Sequence, residues 1–276
     1  MKLFSRPESQ YIPSMSHIEK HPPGAFCWIE LATTDQNAAK NFYGKLFGWA
    51  VNDFPMGPND FYSMFQLEGR DTAAAYTIRP EQRSQGVPPH WMIYVAVEDA
   101  DAATRRAAEL GGKVLAAAFD VYTVGRMAVL EDPTGAVFSV WQAKQHKGTG
   151  IADVDGTLCW AELSTTDQER ASRFYADLFG WKITKGDEDQ SHNYFHIQNG
   201  EAYIGGILPA THRNPKIPPH WLAYFAVSDC DAVAAKAKQL GATFHLPPMT
   251  LENVGHLAVL ADPQGAAFAI FQAVRH

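Results

Sequence analysis

Glu30 and Glu162 each stand as a lone charge in an apolar run, FCWIELATTD at residues 26–35 and LCWAELSTTD at residues 158–167. A carboxylate withdrawn from water is costly unless it is hydrogen-bonded or protonated, and its pKa rises. Such a group serves as a general base or acid near neutral pH, taking a proton from a carbon acid or hydrogen-bonding a ligand. The same surroundings suit a purely architectural role, with the carboxylate accepting from the Tyr94 hydroxyl, a Trp indole or His90 and stiffening the sheet. Both readings stand at this level. His90 and His220 each follow Pro-Pro, where an imidazole either faces a ligand or ties down a loop. His196 and His256 add titratable groups in the second half of the chain. Trp28, Trp160, Tyr62, Tyr94, Tyr194 and Tyr224 offer flat apolar surface with polar tips, suited to a planar or aromatic molecule or to filling a cavity.

Strands must hold these side chains. Alternation puts Cys27, Ile29 and Leu31 on one side of the first strand and Trp28 and Glu30 on the other. Asp35 then caps a helix in which Ala38, Ala39, Phe42, Tyr43 and Leu46 recur at helical spacing before Gly48 stops it. Ile29 and Leu31 match the apolar stripe of that helix, so Trp28 and Glu30 face away from it, as do Trp160 and Glu162. In the strand predicted over 91–97, Trp91, Ile93, Val95 and Val97 form the helix-facing row. His90, Met92 and Tyr94 are left on the second face, with His220, Leu222 and Tyr224 as their counterparts. By the same parity Tyr62, Met64 and Gln66 join them, as do Tyr194, His196 and Gln198. Arg126, Val137, Ser139 and Trp141 follow, mirrored by His256, Ala267, Ala269 and Phe271.

The chain is written twice. GAFCWIELATTDQNAAKNFYGKLFGW from Gly24 returns as GTLCWAELSTTDQERASRFYADLFGW from Gly156, PPHWMIYVAVEDAD from Pro88 returns from Pro218, and VGRMAVLEDPTGAVF from Val124 returns from Val254. The offset is the size of a whole domain. Residues 1–23 read as a tail over the first domain, 24–143 and 156–276 as two domains, and the polar, glycine-containing 144–155 as a linker. Each copy divides again into strand, helix and three strands. The three strands are predicted near 49–52, 61–67 and 72–78, then near 113–116, 125–131 and 136–142. The last two of these are joined by the turn Asp132-Pro133-Thr134-Gly135. The segments 52–60 and 184–193 differ between copies and read as loops able to gate the two halves differently.

DQNAAKNFYGKLFGW, EDPTGAVF and their second copies resemble the vicinal oxygen chelate superfamily, which includes glyoxalase I, extradiol dioxygenases, and bleomycin and fosfomycin resistance proteins. The likeness covers residues 24–143 and 156–273, and within the superfamily it is nearest to tandem-domain bacterial proteins carrying CWxEL that are labelled glyoxalase-like. It implies an α+β fold of four βαβββ modules forming two glyoxalase-like, cup-shaped domains, paired in sequential order, with the reactive site inside each cup. Fold does not fix chemistry. The resemblance places metal ligands at Trp28, Met92 and Ser139, and at Trp160, Leu222 and Ala269, with a fourth strand position in Ala73-Ala74-Ala75 or Gly205-Gly206. None of these ligates zinc, nickel or ferrous iron well. A metal site rebuilt from Glu162, His196 and His256 is the alternative in the second cup.

A formal charge of −7 over 276 residues, without a dense Lys/Arg cluster, argues against nucleic acid or an acidic membrane surface as the main partner. Cys27, Cys159 and Cys230 lie far apart and form no CxxC, which suggests neither a disulfide framework nor a thiolate zinc site and fits the cytoplasm. No stretch has the length and apolarity of a membrane span. The expectation is a cytoplasmic monomer or homodimer that binds a small organic ligand in its cups and uses no cofactor. Glu162 and Glu30 are the candidate catalytic groups. Trp28, Tyr62, His90, Tyr94, Trp160, Tyr194, His196, His220, Tyr224 and His256 are the candidate ligand-binding set. Any activity would be that of a lyase or isomerase, preferentially in the second cup for its extra titratable groups. The rivals are a metal-dependent glyoxalase I or dioxygenase, and sequestration of a drug or metabolite without turnover.

Overall fold

The computed structural model describes residues 16–58, 60–186 and 193–274. Two eight-stranded mixed sheets dominate it, one from each copy. Across the first sheet the spatial order is Ala50–Gly57, Asp60–Leu67, Arg70–Thr77, Phe26–Thr33, His90–Ala96, Val137–Ala143, Gly125–Glu131 and Lys113–Val121. The second repeats it with Lys182–Lys185, Phe195–Asn199, Ala202–Leu208, Leu158–Ser164, His220–Ala226, Ala267–Ala273, Gly255–Ala261 and Thr243–Leu251. Each acid-bearing strand therefore lies mid-sheet, where two modules join. Phe26–Thr33 pairs in parallel with Arg70–Thr77 and antiparallel with His90–Ala96.

The helices form where the caps dictate. Asp35 accepts from the Ala38 amide at 2.9 Å and Gly48 closes Gln36–Phe47 in the left-handed conformation at φ 75°. Asp99 plays the same part for Ala100–Glu109, as do Asp167 and Asp229 in the second copy. The edge strands are longer than the sequence predicts. Ala50–Gly57 takes in most of the segment read as a loop, because pairing with Asp60–Leu67 overrides Asn52, Asp53, Pro55 and Gly57, which disfavour strand locally. Lys113–Val121 continues past residue 116 for the same reason. Of the other expected loop, residues 187–192 lie outside the described residues.

The helix-facing sides of both sheets share one apolar core. Phe47 meets Phe225 at 5.1 Å between ring centroids, Tyr43 meets Phe268 at 5.7 Å and Phe138 meets Tyr175 at 5.4 Å. Polar ties cross between copies in matched pairs. Tyr43 donates to Asp262 Oδ2 and Tyr175 to Asp132 Oδ2, both at 3.0 Å. Trp49 donates to the Gly156 carbonyl at 3.1 Å and Trp181 to that of Gly24 at 2.8 Å. The repeated FYxxLFGW and DPxG motifs are thus the two halves of a reciprocal lock. Residues 16–18 run beside 150–152, and the Thr149 and Gly150 amides donate to the Cys27 and Asp71 carbonyls. The linker is tied into the first sheet.

Candidate functional site

On the other face of each sheet the same four side chains form the same network. In the first copy Trp28 Nε1 donates to the Tyr62 hydroxyl at 3.2 Å, Tyr62 donates to Glu30 Oε2 at 3.2 Å, and Tyr94 donates to that oxygen at 2.9 Å. In the second, Trp160 Nε1 donates to the Tyr194 hydroxyl at 3.0 Å, while Tyr224, at 3.0 Å, and Tyr194 bond to Glu162. Strand register positions the parts: Trp28 lies opposite Tyr94 and Trp160 opposite Tyr224 in the antiparallel ladder. Burial pushes both carboxyls up to about 7, with the tyrosine hydrogen bonds opposing part of the rise. All four phenols are held well above their usual value by burial, then by the neighbouring acid, and stay protonated donors. Each acid therefore changes charge near neutrality between two fixed hydroxyls. In the first copy both bonds fall on Oε2, so Glu30 Oε1 has no partner among the described residues.

The expected histidines separate. His90 and His220 sit at the rim, with Nδ1 bonded to the Pro88 and Pro218 carbonyls at 2.8 and 2.9 Å, and burial lowers the pKa of each. His196 shares the face of Glu162, its ring 5.2 Å from that of Tyr194. His256 does not belong to this set. Its strand neighbours Ala258 and Leu260 belong to the helix-side core, whereas Val259 packs on the cup-side cluster and Leu257 lies opposite Phe271, which packs there too. His256 is held instead by Thr250 Oγ1 at 2.8 Å and Asp231 at 3.2 Å. The parity assumed for this strand was reversed, and Arg126, paired with Asp101 at 2.7 Å, is misplaced in the same way. Cys27 moves the other way, into the cup-side cluster beside Trp28, because the ladder is irregular between Phe26 and Trp28.

Three cup residues escaped the sequence. Tyr76 follows Ala74 by two on the strand beside Glu30 and shares its face, its hydroxyl raised to about 12 by burial and by Glu30. Phe54 lies opposite Tyr62 and Phe119 opposite Met127, each on an edge strand and 49% and 45% exposed. Alternation would have found Phe54 and Phe119 had the edge strands been extended to their true length; Tyr76 lies within the inner strand predicted near 72–78, where Ala73-Ala74-Ala75 leave the parity unset. Cup two has Leu208, Gly186 and Met249 in these places.

The donor set decides whether a divalent metal fits. The positions facing Glu30 in the ladders are Met92 and Ala74, and Ser139 faces Tyr94. Among the described residues the network in each cup offers one carboxylate and two protonated phenols, joined in the second by His196; protonated phenols are poor ligands for a hard or borderline dication, and one carboxylate with one imidazole falls short of the three donors such an ion needs. Among the described residues no group of three His, Cys, Asp or Glu side chains is placed to hold a metal ion. The donors that the described residues bring to these cups do not fit such a metal.

The family model described as Glyoxalase/Bleomycin resistance protein/Dioxygenase superfamily matches residues 25–140 and again 157–270. A Mycobacterium tuberculosis protein named "Putative glyoxylase CFP32" is 39% identical over 262 residues, covering 95% of this chain and 98% of its own. The anthracycline biosynthesis protein DauV of a Streptomyces species is 33% identical over 266 residues, covering 92% of this chain and 95% of its own. Among solved structures, the Mn(II)-bound glyoxalase from Novosphingobium aromaticivorans superposes with a TM-score of 0.63 at 15% identity, over 92% of this chain and 83% of its own.

Proposed function

The chain belongs to the glyoxalase/bleomycin resistance protein/dioxygenase superfamily, and from that premise we propose that it binds a small planar or aromatic molecule on the concave faces of its sheets and moves a proton on it through Glu30 or Glu162, with no metal in the step. The observation that carries this reading is the duplicated Trp–Tyr–Glu–Tyr network, in which a sheltered carboxyl titrates at about 7 while two phenols fix its orientation. A base poised near ambient pH is half ionised and still strong enough to take a proton from an activated C–H. Glu30 Oε1 receives that proton while Oε2 stays held by Tyr62 and Tyr94, so the carboxyl does not rotate as its charge changes. The ligand class is supported by Trp28, Trp141, Phe54 and Phe119 on one concave face. It is also supported by the relative named for anthracycline biosynthesis, since anthracyclines carry a fused planar ring system.

A panel of hydroxylated naphthoquinones and anthraquinones, titrated against tryptophan fluorescence, tests binding. Loss of deuterium from an acidic C–H of the bound ligand, followed by NMR, tests proton transfer. Wild type should bind and exchange, with kcat/KM rising through about pH 7 as the base ionises, and the double variant Glu30→Gln/Glu162→Gln should abolish exchange while sparing affinity. Absence of any quenching across the panel refutes the reading. Binding without exchange favours sequestration, which the deep burial of Glu162 beneath Tyr194 and Tyr224 supports as a second reading.

A further inference from the structure

We propose that the two cups are not equivalent: the first stands open over Glu30, the second is shut over Glu162 by the Tyr194 ring, and the side chain at position 74 or 206 decides which state a cup adopts. The inference deepens the functional reading above by assigning its site to the first copy.

The residue beside each acid in the parallel ladder is Ala74 for Glu30 and Gly206 for Glu162. The same residues lie opposite Met64 and His196 on the next strand, two places from the network tyrosines Tyr62 and Tyr194. A Cβ built on Gly206 would lie 2.1 Å from the Tyr194 hydroxyl oxygen and 2.2 and 2.3 Å from Cε1 and Cζ of its ring. Tyr194 therefore lies in space that exists only because position 206 has no side chain. Sunk there, Tyr194 is 2% exposed and Glu162 8%. In the first copy the methyl of Ala74 occupies the equivalent space, and both Tyr62 and Glu30 retain exposed surface. Since a Cβ cannot approach another heavy atom within 3 Å without something shifting, one methyl group is enough to hold the phenol off.

The surroundings agree with this division. The first cup carries Tyr76, Phe54 and Phe119 where the second carries Leu208, Gly186 and Met249. Aromatic side chains aimed at a shared concavity suit an accessible planar ligand. Both cups are floored by a buried apolar cluster, but Tyr194 is a buried member of the second, whereas Tyr62 is only partly buried against the first.

Dicyclohexylcarbodiimide tests the assignment without any ligand. It is an apolar reagent to which a protonated carboxyl adds: the acid proton goes to one nitrogen, the carboxylate oxygen bonds to the central carbon, and the O-acylisourea rearranges by O-to-N acyl shift to a stable N-acylurea with no leaving group. Treating the full chain at pH 6.5 and quantifying adducts by peptide mass spectrometry should show at least tenfold more label on Glu30 than on Glu162. Ala74→Gly should suppress labelling of Glu30, and Gly206→Ala should raise that of Glu162. Should Gly206→Ala fail to fold, Tyr194→Ala removes the covering ring and should expose Glu162 equally. Equal labelling in the wild type, or preferential labelling of Glu162, overturns the proposal. The converse result, strong Glu30 labelling in a protein that binds none of the quinone panel, supports the open cup and refutes only the ligand class.

Discussion

Replacing both cup acids by their neutral isosteres should make the protein more stable in mild alkali and leave it nearly unchanged in mild acid. Glu30 and Glu162 ionise near 7 in the folded chain against about 4.5 in an unperturbed one. The folded state thus binds these protons more tightly. Stability from them is complete below about pH 4.5, declines between there and 7, and is gone above 7. At ~1.4 kcal/mol per pH unit, each acid withdraws roughly 3 kcal/mol across that window. Gln presents the same acceptor oxygen to the tyrosines but never ionises, and its amide costs about 1 kcal/mol where it finds no partner. The double variant Glu30→Gln/Glu162→Gln should therefore match wild type within about 2 kcal/mol at pH 5 and exceed it by roughly 4 kcal/mol at pH 8. Urea denaturation followed by far-ultraviolet circular dichroism at half-unit pH intervals supplies the difference curve. His21, His90, His146 and His220, whose pKa values burial lowers, act with the opposite sign, since their contribution is lost as pH falls through about 6.5. They are common to both proteins and cancel in the difference. A difference curve that is flat from pH 5 to 8.5 would refute the claim that these carboxyls are held in sheltered, hydrogen-bonded sites.

Tyr43→Phe and Tyr175→Phe should each destabilise the protein by about 1–3 kcal/mol in the same assay, because each strands a buried carboxylate oxygen of Asp262 or Asp132 and the indole N–H of Trp91 or Trp221. Calorimetry should show one cooperative transition for both copies, as their helix-side cores are continuous; two resolved transitions would contradict that. Gly125→Ala should be strongly destabilising, since its Cβ would meet the Trp141 ring at 2.1 Å, whereas Gly69→Ala, with nothing within 4 Å, should cost only the strain of its φ of 73°. Cys27 should resist thiol reagents until the chain unfolds, because burial pushes its thiol far above the ordinary range; rapid modification of the native protein would refute this.

The sequence carried the mid-sheet parts of this structure better than its margins. Glu30, Trp28 and Tyr94 and their copies were legible because a central strand packed on a helix has a strict apolar row, and parity about that row fixes the opposite face. The first helix was legible from Asp35 and its stop at Gly48. Phe54 and Phe119 were lost because strand ends beyond the core have no such row, and Pro55 and Gly57 read locally as turn; Tyr76 follows Ala73-Ala74-Ala75, a run too uniform to fix parity. His256 was misassigned for a related reason: Gly255–Ala261 is apolar on both faces, so composition alone does not say which side is which. The role of Gly206 was beyond reach, since it depends on where a phenol from another strand comes to rest.

The reciprocal lock has an evolutionary corollary. Tyr43 with Asp262 and Tyr175 with Asp132 bind the fate of each half to the other, so neither partner in a pair is free to mutate alone and the two halves cannot be parted without orphaning both. No such mutual veto operates on the concave surfaces, where Tyr76, Phe54 and Phe119 already stand against Leu208, Gly186 and Met249. A fused duplicate built this way can let one bowl fall silent or take up new work while its twin keeps the original trade, because the scaffold is policed from the far side of the sheet.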